Sequence, residues 1–142
     1  MKYYFAYGSN MNHQQMKQRC PSSIFIKKAF LKGYKFVYDG YSSIRKGAVA
    51  NIIETGEEND EVWGGLFEIN EDNLSSLDCY EGYPNSYNRK EVVLGSEEGK
   101  SFKAIAYYRI GKRISEPSED YRNIIIKGAK DCNLPENYII TL

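Results

Sequence analysis

The sequence has a single histidine, His13, and only three cysteines, Cys20, Cys79 and Cys132. A histidine-based triad or a multi-histidine metal site would rest on His13 alone, and we expect this residue to face solvent on a short polar helix. The cysteines are widely spaced, form no C-x-x-C pair and have no histidine near them in sequence. They therefore predict reduced, buried or partly buried thiols, and they argue against a zinc site or a disulfide framework.

The chain also has no excess of charge and no long hydrophobic run. Lys plus Arg and Asp plus Glu number 19 each, which argues against nucleic acid or an acidic membrane as a partner. No run of about 18 apolar residues is present, and the apolar start of the chain is too short for a signal peptide. We therefore expect a cytoplasmic protein with one domain over residues 1–142 and a sizeable core.

Strand-like and helix-like segments are mixed along the chain and predict an α+β domain around a closed or nearly closed sheet of about six strands. Asn12, Asn70 and Ser118 are predicted to begin helices, Gly82 to end one, and Pro135 to open a last short helix. The predicted strands are 2–7, 24–31, 34–38, 48–54, 61–69, 90–94 and 100–109. A polar loop is predicted over 39–47, with Arg45 and Lys46 on its solvated surface.

The stretch YYFAYGSNMN, residues 3–12, predicts a strand, a glycine turn and a helix start in immediate succession. Such a turn gathers several backbone N–H groups, an arrangement that suits an anion or a polarised carbonyl oxygen. An ordinary strand-to-helix turn explains the same residues equally well. Gly64-Gly65 lacks the lysine and serine or threonine of a phosphate loop, and we expect it to serve close packing.

Glu81 is the strongest candidate for acid–base chemistry. It lies at a predicted helix C-terminus between Tyr80 and Tyr83, where the helix dipole and aromatic neighbours both raise the pKa of a carboxyl group above about 4.3. The alternative is an exposed residue in the last turn of the helix. The other carboxylates fit less well, because we expect Asp78 and Glu71 to face solvent or cap the helix and Glu91 to lie in a strand.

These two segments together resemble the γ-glutamylcyclotransferase family. YFAYGSNMN is similar to its YGSN signature, and Leu77-Asp78-Cys79-Tyr80-Glu81-Gly82 is similar to its L-D-x-x-E-G segment. The likeness continues in order through the segments 60–64, 73–77, 121–130 and 133–138. It implies a mixed β-barrel with flanking helices and an intramolecular reaction that releases 5-oxoproline and an amine or amino acid, without a metal or an organic cofactor.

The resemblance also implies roles for particular residues. Glu81 would be the catalytic acid and base, and Tyr121 a residue of the substrate pocket. A further tyrosine is expected after the glutamate, where Tyr83 and Tyr87 compete and we favour Tyr87. The turn that would hold the glutamyl group consists of Tyr7, Gly8, Ser9, Asn10 and Met11.

Two alternatives stand beside an enzyme that acts on γ-glutamyl amino acids. One is removal of a γ-glutamyl cap from a biosynthetic intermediate, and the other is a non-catalytic small-molecule binding domain of the same fold. The expected partner in each case is a small molecule, with the chain a monomer or a homodimer.

Overall fold

Five strands close into a barrel in the computed structural model, which describes residues 1–142. The chain has seven strands in all, β1 Lys2–Ala6, β2 Ile24–Lys32, β3 Tyr34–Ser42, β4 Gly47–Glu54, β5 Glu61–Ile69, β6 Asn88–Gly95 and β7 Ser101–Tyr108. The barrel order is β1-β5-β2-β6-β7, and the parallel pairing of Tyr4 with Ile105 closes it between β1 and β7. The α+β fold with a closed mixed sheet is confirmed, although the barrel has five strands because β3 and β4 pair only with each other.

The helices begin where their capping residues predict. They are α1 His13–Arg19, α2 Glu71–Glu81, α3 Glu119–Asp131 and α4 Glu136–Ile139. The side chain of Asn12 accepts a hydrogen bond from the Gln15 amide at 3.1 Å, and Asn70 forms a reciprocal capping box with Asn73. Gly82 ends α2 in the left-handed conformation, with φ of 68°, which a glycine adopts without steric cost.

The middle position of β5 depends on its two glycines. Strand β5 pairs with β1 on one side and β2 on the other, and a Cβ atom at Gly64 would lie 2.3 Å from the backbone oxygen of Ala6. A Cβ at Gly65 would lie 2.7 Å from the Cys132 sulfur. The prediction that this pair serves close packing is confirmed.

Helix α3 packs directly against the turn that follows β1. Its inner face includes Ile125 and Ala129, which have no exposed surface. A Cβ at Gly128 would lie 2.3 Å from the Asn12 amide nitrogen, so the helix and the turn touch through their backbones. This contact holds the 3-10 turn Ser9–Met11 between β1 and α1.

Two predictions about the polar segments are wrong. The loop predicted over 39–47 is shorter, because β3 continues to Ser42 and β4 begins at Gly47. Arg45 is half-buried, and its guanidinium carbon lies 5.1 Å from the centre of the Tyr121 ring. An arginine in a polar segment can be either solvated or buried, and the sequence alone does not distinguish the two cases.

The cysteine and histidine environments also differ from expectation. Cys79 is exposed, whereas Cys20 and Cys132 are buried. His13 is half-buried against Phe25, and its Nε2 atom lies 3.6 Å from the Cys132 sulfur. Burial raises the pKa of Cys132 to about 12, so this thiol stays protonated and is not a nucleophile at neutral pH. No helix of the structure has the length and apolar character needed to cross a membrane.

Candidate active site

The turn after β1 is held by side chains on both of its sides. The Tyr7 hydroxyl donates to the backbone oxygen of Tyr107 at 2.7 Å, and the buried Asn10 carboxamide donates to the Tyr4 hydroxyl at 3.0 Å. Inside the turn, the Met11 amide donates to the Gly8 oxygen at 3.0 Å. The Gly8 amide N–H has no acceptor in the protein, which leaves it available to a ligand.

Gly8 lies where only a small residue fits without displacement. A Cβ atom at this position would approach the Ala50 side chain of β4 to 3.1 Å, which is tighter than ordinary contact. Glycine therefore lets the turn and β4 form adjacent walls of a single pocket.

Glu81 is the last residue of α2, and its carboxylate points into this pocket. The side chain is half-buried and makes no hydrogen bond or ion pair. Burial raises the pKa of Glu81 to about 7, while the positive charges of Arg19 and Arg45 act in the opposite direction. The group can therefore both accept and donate a proton near neutral pH.

The pocket combines residues from distant parts of the chain. The cavity is narrow, with a volume of about 40 Å³. Of the residues singled out in the sequence, it brings together Tyr7, Gly8, Ser9, Asn10, Glu81, Tyr87 and Tyr121. It also includes three residues that the sequence analysis missed, Tyr4, Ala50 and Tyr107.

Two of the residues singled out lie elsewhere. Met11 has no exposed surface and belongs to the core. Tyr83 lies outside the pocket and stacks under the Arg89 guanidinium, with 4.2 Å between the guanidinium carbon and the ring centre. Of the two competing tyrosines, Tyr87 is therefore the one that lines the pocket.

Tyr87 and Tyr121 are both bonded to the backbone of Ala50. The Tyr87 hydroxyl donates to the Ala50 oxygen at 2.6 Å, and the Tyr121 hydroxyl accepts from the Ala50 amide at 3.0 Å. Burial is the main reason that the pKa of each tyrosine is raised. Both rings therefore form neutral, fixed walls that keep water from the carboxylate.

Asp78 does not face solvent as predicted, and it fixes the helix that carries Glu81. Its carboxylate accepts from Arg89 at 2.9 and 3.2 Å and from the Tyr107 hydroxyl at 2.6 Å. These partners lie on β6 and β7, so the last turn of α2 is tied to the barrel. With its oxygens engaged in this way, Asp78 is a poor candidate for the acid–base group.

No local signal marks Tyr4, Ala50 or Tyr107 as site residues. Each lies in an ordinary strand pattern. Barrel closure brings β1 and β7 together, and the separate β3–β4 pair adds Ala50 of β4 to the same pocket. A sequence argument would need the strand order in advance to find them.

Comparisons with known proteins point to one family. A model of the AIG2-like family matches residues 61–142. A γ-glutamylcyclotransferase from Bos taurus is 36% identical over 140 residues, which are 95% of this chain and 73% of that protein. A human γ-glutamylcyclotransferase is 35% identical over the same shares. A solved structure of a γ-glutamyl cyclotransferase superposes with a TM-score of 0.92 at 33% identity and covers 99% of this chain and 85% of that one.

Proposed function

The chain belongs to the AIG2-like family together with γ-glutamylcyclotransferases, and from this premise we propose that it converts a γ-glutamyl amide into 5-oxoproline and a free amine or amino acid. The observation that carries the proposal is the unpaired carboxylate of Glu81, whose pKa is raised to about 7, in one pocket with the turn at Gly8 and Ser9. The family resemblance implies no metal or organic cofactor for this reaction.

In the proposed reaction, Glu81 first removes a proton from the α-ammonium group of the substrate. An α-amino group has a pKa of about 8, so transfer to a carboxylate with a pKa of about 7 is nearly balanced. The freed amine then attacks the γ-carbonyl carbon of the same glutamyl group. A C–N bond closes the five-membered ring, and the carbonyl oxygen becomes an oxyanion.

The turn supports the proposed role of oxyanion stabilisation. The Gly8 amide N–H has no acceptor in the protein, and a hydrogen bond from such a donor to a developing oxyanion strengthens as charge accumulates. When the oxyanion collapses, the bond to the leaving nitrogen breaks and Glu81 returns its proton to that nitrogen. The positively charged ring nitrogen gives its second proton to Glu81, which passes it to the departing amine, so that 5-oxoproline keeps one N–H and Glu81 is again ionised. One carboxyl group suffices because nucleophile and leaving group meet at the same carbon.

Holding the substrate in a bent conformation would also contribute to the rate. The reaction is already intramolecular, so this gain is limited to the entropy of the few bonds that rotate between the amine and the carbonyl. The neutral walls of Tyr87 and Tyr121 would exclude water while the ring closes.

Several features of the proposal rest on the sequence alone. We propose a cytoplasmic location, which the free cysteines favour, and the choice between monomer and homodimer remains a prediction. Removal of a γ-glutamyl cap from a biosynthetic intermediate uses the same proton transfers, so it differs only in the leaving group.

Release of 5-oxoproline by the purified protein tests the proposed reaction. The protein is incubated with γ-glutamyl dipeptides that differ in the second residue, and with α-glutamyl dipeptides of the same composition as controls. We expect 5-oxoproline from the γ-linked peptides only, since only they place the α-amine within reach of the γ-amide. A binding domain without activity would bind the γ-linked peptides and release nothing.

A further inference from the structure

Two arginines beside the pocket have no carboxylate partner. Of the six arginines, three are paired with Asp or Glu side chains and Arg113 is exposed. Arg19 and Arg45 are half-buried, yet neither forms an ion pair. A half-buried guanidinium has lost part of its hydration, and here no ion pair with a carboxylate offsets that cost.

Both guanidiniums are held in place by residues of the pocket. Gln15 donates to the Ser9 hydroxyl at 2.8 Å and to the Asn10 side-chain oxygen at 2.9 Å, and its own oxygen accepts from Arg45 at 3.0 Å. Arg19 donates to the same Asn10 oxygen at 3.2 Å. Because the acceptors are neutral amide oxygens, neither guanidinium is bonded to an anion, and Glu81 acts on both only at longer range.

Each of the two guanidiniums lies over an aromatic ring. The Arg45 guanidinium carbon lies 5.1 Å from the ring centre of Tyr121, and that of Arg19 lies 4.4 Å from the ring centre of Tyr80. Arg45 and Arg19 each use one N–H group in the hydrogen bonds to Gln15 and Asn10. A guanidinium has five such donors in a planar fork, so most of them remain free to bind a ligand.

The charge of the site is unbalanced in favour of an anion. Glu81 is the only carboxylate that lines the pocket, and Asp78, the nearest other acid on α2, is engaged by Arg89 and Tyr107. Two positive charges therefore face one carboxylate that is only partly ionised near neutral pH.

We propose that Arg45 and Arg19 form a carboxylate-binding subsite at the rim of the pocket, with Arg45 the principal ligand of a substrate carboxylate. The inference rests on the proposed function and extends it to substrate selection. A γ-glutamyl amino acid offers two carboxylates, one on the glutamyl group and one on the leaving amino acid. If the subsite takes the second, the protein prefers amino acids to simple amines as leaving groups.

The test compares three substrates with four forms of the protein. The substrates are γ-glutamylalanine, γ-glutamylalaninamide and the γ-glutamylalanine analogue with a carboxamide in place of the glutamyl α-carboxylate. The proteins are the wild type, Arg45→Gln, Arg45→Lys and the matched control Lys46→Gln, which removes a charge from an exposed neighbour. For each combination of protein and substrate, kcat and KM are determined separately.

We expect Arg45→Gln to lower kcat/KM for γ-glutamylalanine about 10- to 100-fold, the range expected for a charge-assisted hydrogen bond, mainly through KM. Arg45→Lys should restore part of the loss, and Lys46→Gln should change little. An effect confined to peptides with the alanine carboxylate assigns the subsite to the leaving group. An effect that disappears only with the α-carboxamide analogue assigns it to the glutamyl group.

Equal losses on all three substrates, or the same result for Arg45→Gln and Lys46→Gln, would overturn the subsite. Calorimetric binding of γ-glutamylalanine and its two amides to Glu81→Gln, with and without Arg45→Gln, gives an answer that does not depend on turnover. If the wild type releases no 5-oxoproline, the proposed function fails, while this binding comparison still decides whether Arg45 recognises a carboxylate.

Discussion

At the scale of single residues, the surroundings of Glu81 set the proton affinity of its carboxylate. Tyrosine rings remove water from the carboxylate and raise its pKa, while Arg19 and Arg45 limit the rise. A fully exposed glutamate would be ionised at neutral pH and a poor proton donor, and a deeply buried one would be a poor base. The balance near pH 7 suits both roles.

The pH dependence of turnover should reflect this balance. We expect kcat/KM to rise with pH as Glu81 ionises, with an apparent pKa near 7. Arg19→Gln removes a positive charge that favours the ionised form, so the rising limb should move to higher pH. The matched control is Lys17→Gln, an exposed charge on the same helix; an equal displacement of its profile would contradict a local effect of Arg19.

At the scale of elements, the site depends on backbone contacts that place the turn. Helix α3 touches the turn through Gly128, where a Cβ atom would lie 2.3 Å from the Asn12 amide. No change of rotamer relieves such a contact, because the backbone fixes the position of a Cβ atom and the Asn12 nitrogen belongs to the main chain.

Gly128→Ala should therefore displace the turn and lower both stability and activity. Overpacking of this kind costs about 1–3 kcal/mol, and thermal unfolding together with the rate of 5-oxoproline release would measure it. Lys130→Ala, an exposed position on the same helix, is the control. A Gly128→Ala protein with wild-type stability and activity would show that the turn adapts to α3.

A buried ion pair supports another wall of the pocket. Arg109 and the fully buried Asp39 approach to 2.6 Å, and the Arg109 guanidinium lies 5.1 Å from the ring centre of Tyr87. Asp39 also accepts from the Lys112 amide at 2.9 Å. The pair thus joins β3 to the segment after β7, beside a tyrosine of the site.

Asp39→Ala should destabilise the protein by about 3–5 kcal/mol, because it leaves a largely buried guanidinium unpaired. Glu116→Ala is the control. It breaks the ion pair between Arg122 and the exposed Glu116, and the loss of a surface pair lowers the free energy of unfolding by about 0–1 kcal/mol. Urea unfolding measures the free energy of unfolding of each variant and of the wild type. Similar losses in both would mean that the Asp39 pair is no more important than a surface contact.

At the scale of the whole molecule, burial of Glu81 connects activity with stability. A carboxyl group whose pKa is higher in the folded than in the unfolded state favours folding while it is protonated. Its contribution is fully present below about pH 4.5 and is lost as pH rises through about 7. The native protein therefore keeps this carboxylate at a cost in stability above neutral pH.

Glu81→Gln should be more stable than the wild type at pH 8 and equally stable at pH 4. The expected difference at pH 8 is on the order of 2 kcal/mol, from the size of a pKa shift of this kind. Denaturant unfolding at the two pH values measures it, and Glu58→Gln, an exposed glutamate without an ion pair, is the control. A constant difference across pH would contradict a raised pKa in the folded state.

The sequence predicts much of this molecule where the cause is local. Asn12, Asn70 and Gly82 bound their helices because capping involves only a few neighbouring residues. Strand pairing is not local, so the position of β5 between β1 and β2 and the separate β3–β4 pair did not follow from the pattern.

The same distinction applies to the pocket. Short motifs identify the turn and Glu81, whereas Tyr107 lines the pocket, and Arg45 lies over the Tyr121 ring, only through contacts across the fold. The prediction that Asp78 faces solvent or caps the helix is wrong for the same reason, because its partners Arg89 and Tyr107 lie on strands that follow later in the chain. Whether a charged residue in a polar segment is buried can be predicted only when its partners from distant parts of the chain are known.

The most direct test of the central claim is the rate of 5-oxoproline release from a γ-glutamyl dipeptide by Glu81→Gln, beside wild type and Glu58→Gln. We predict a loss of at least about 100-fold and up to about 10⁴-fold in kcat for Glu81→Gln, in a protein that remains folded, and no comparable loss for Glu58→Gln. Wild-type turnover by a folded Glu81→Gln protein would contradict the assignment of proton transfer to this carboxylate.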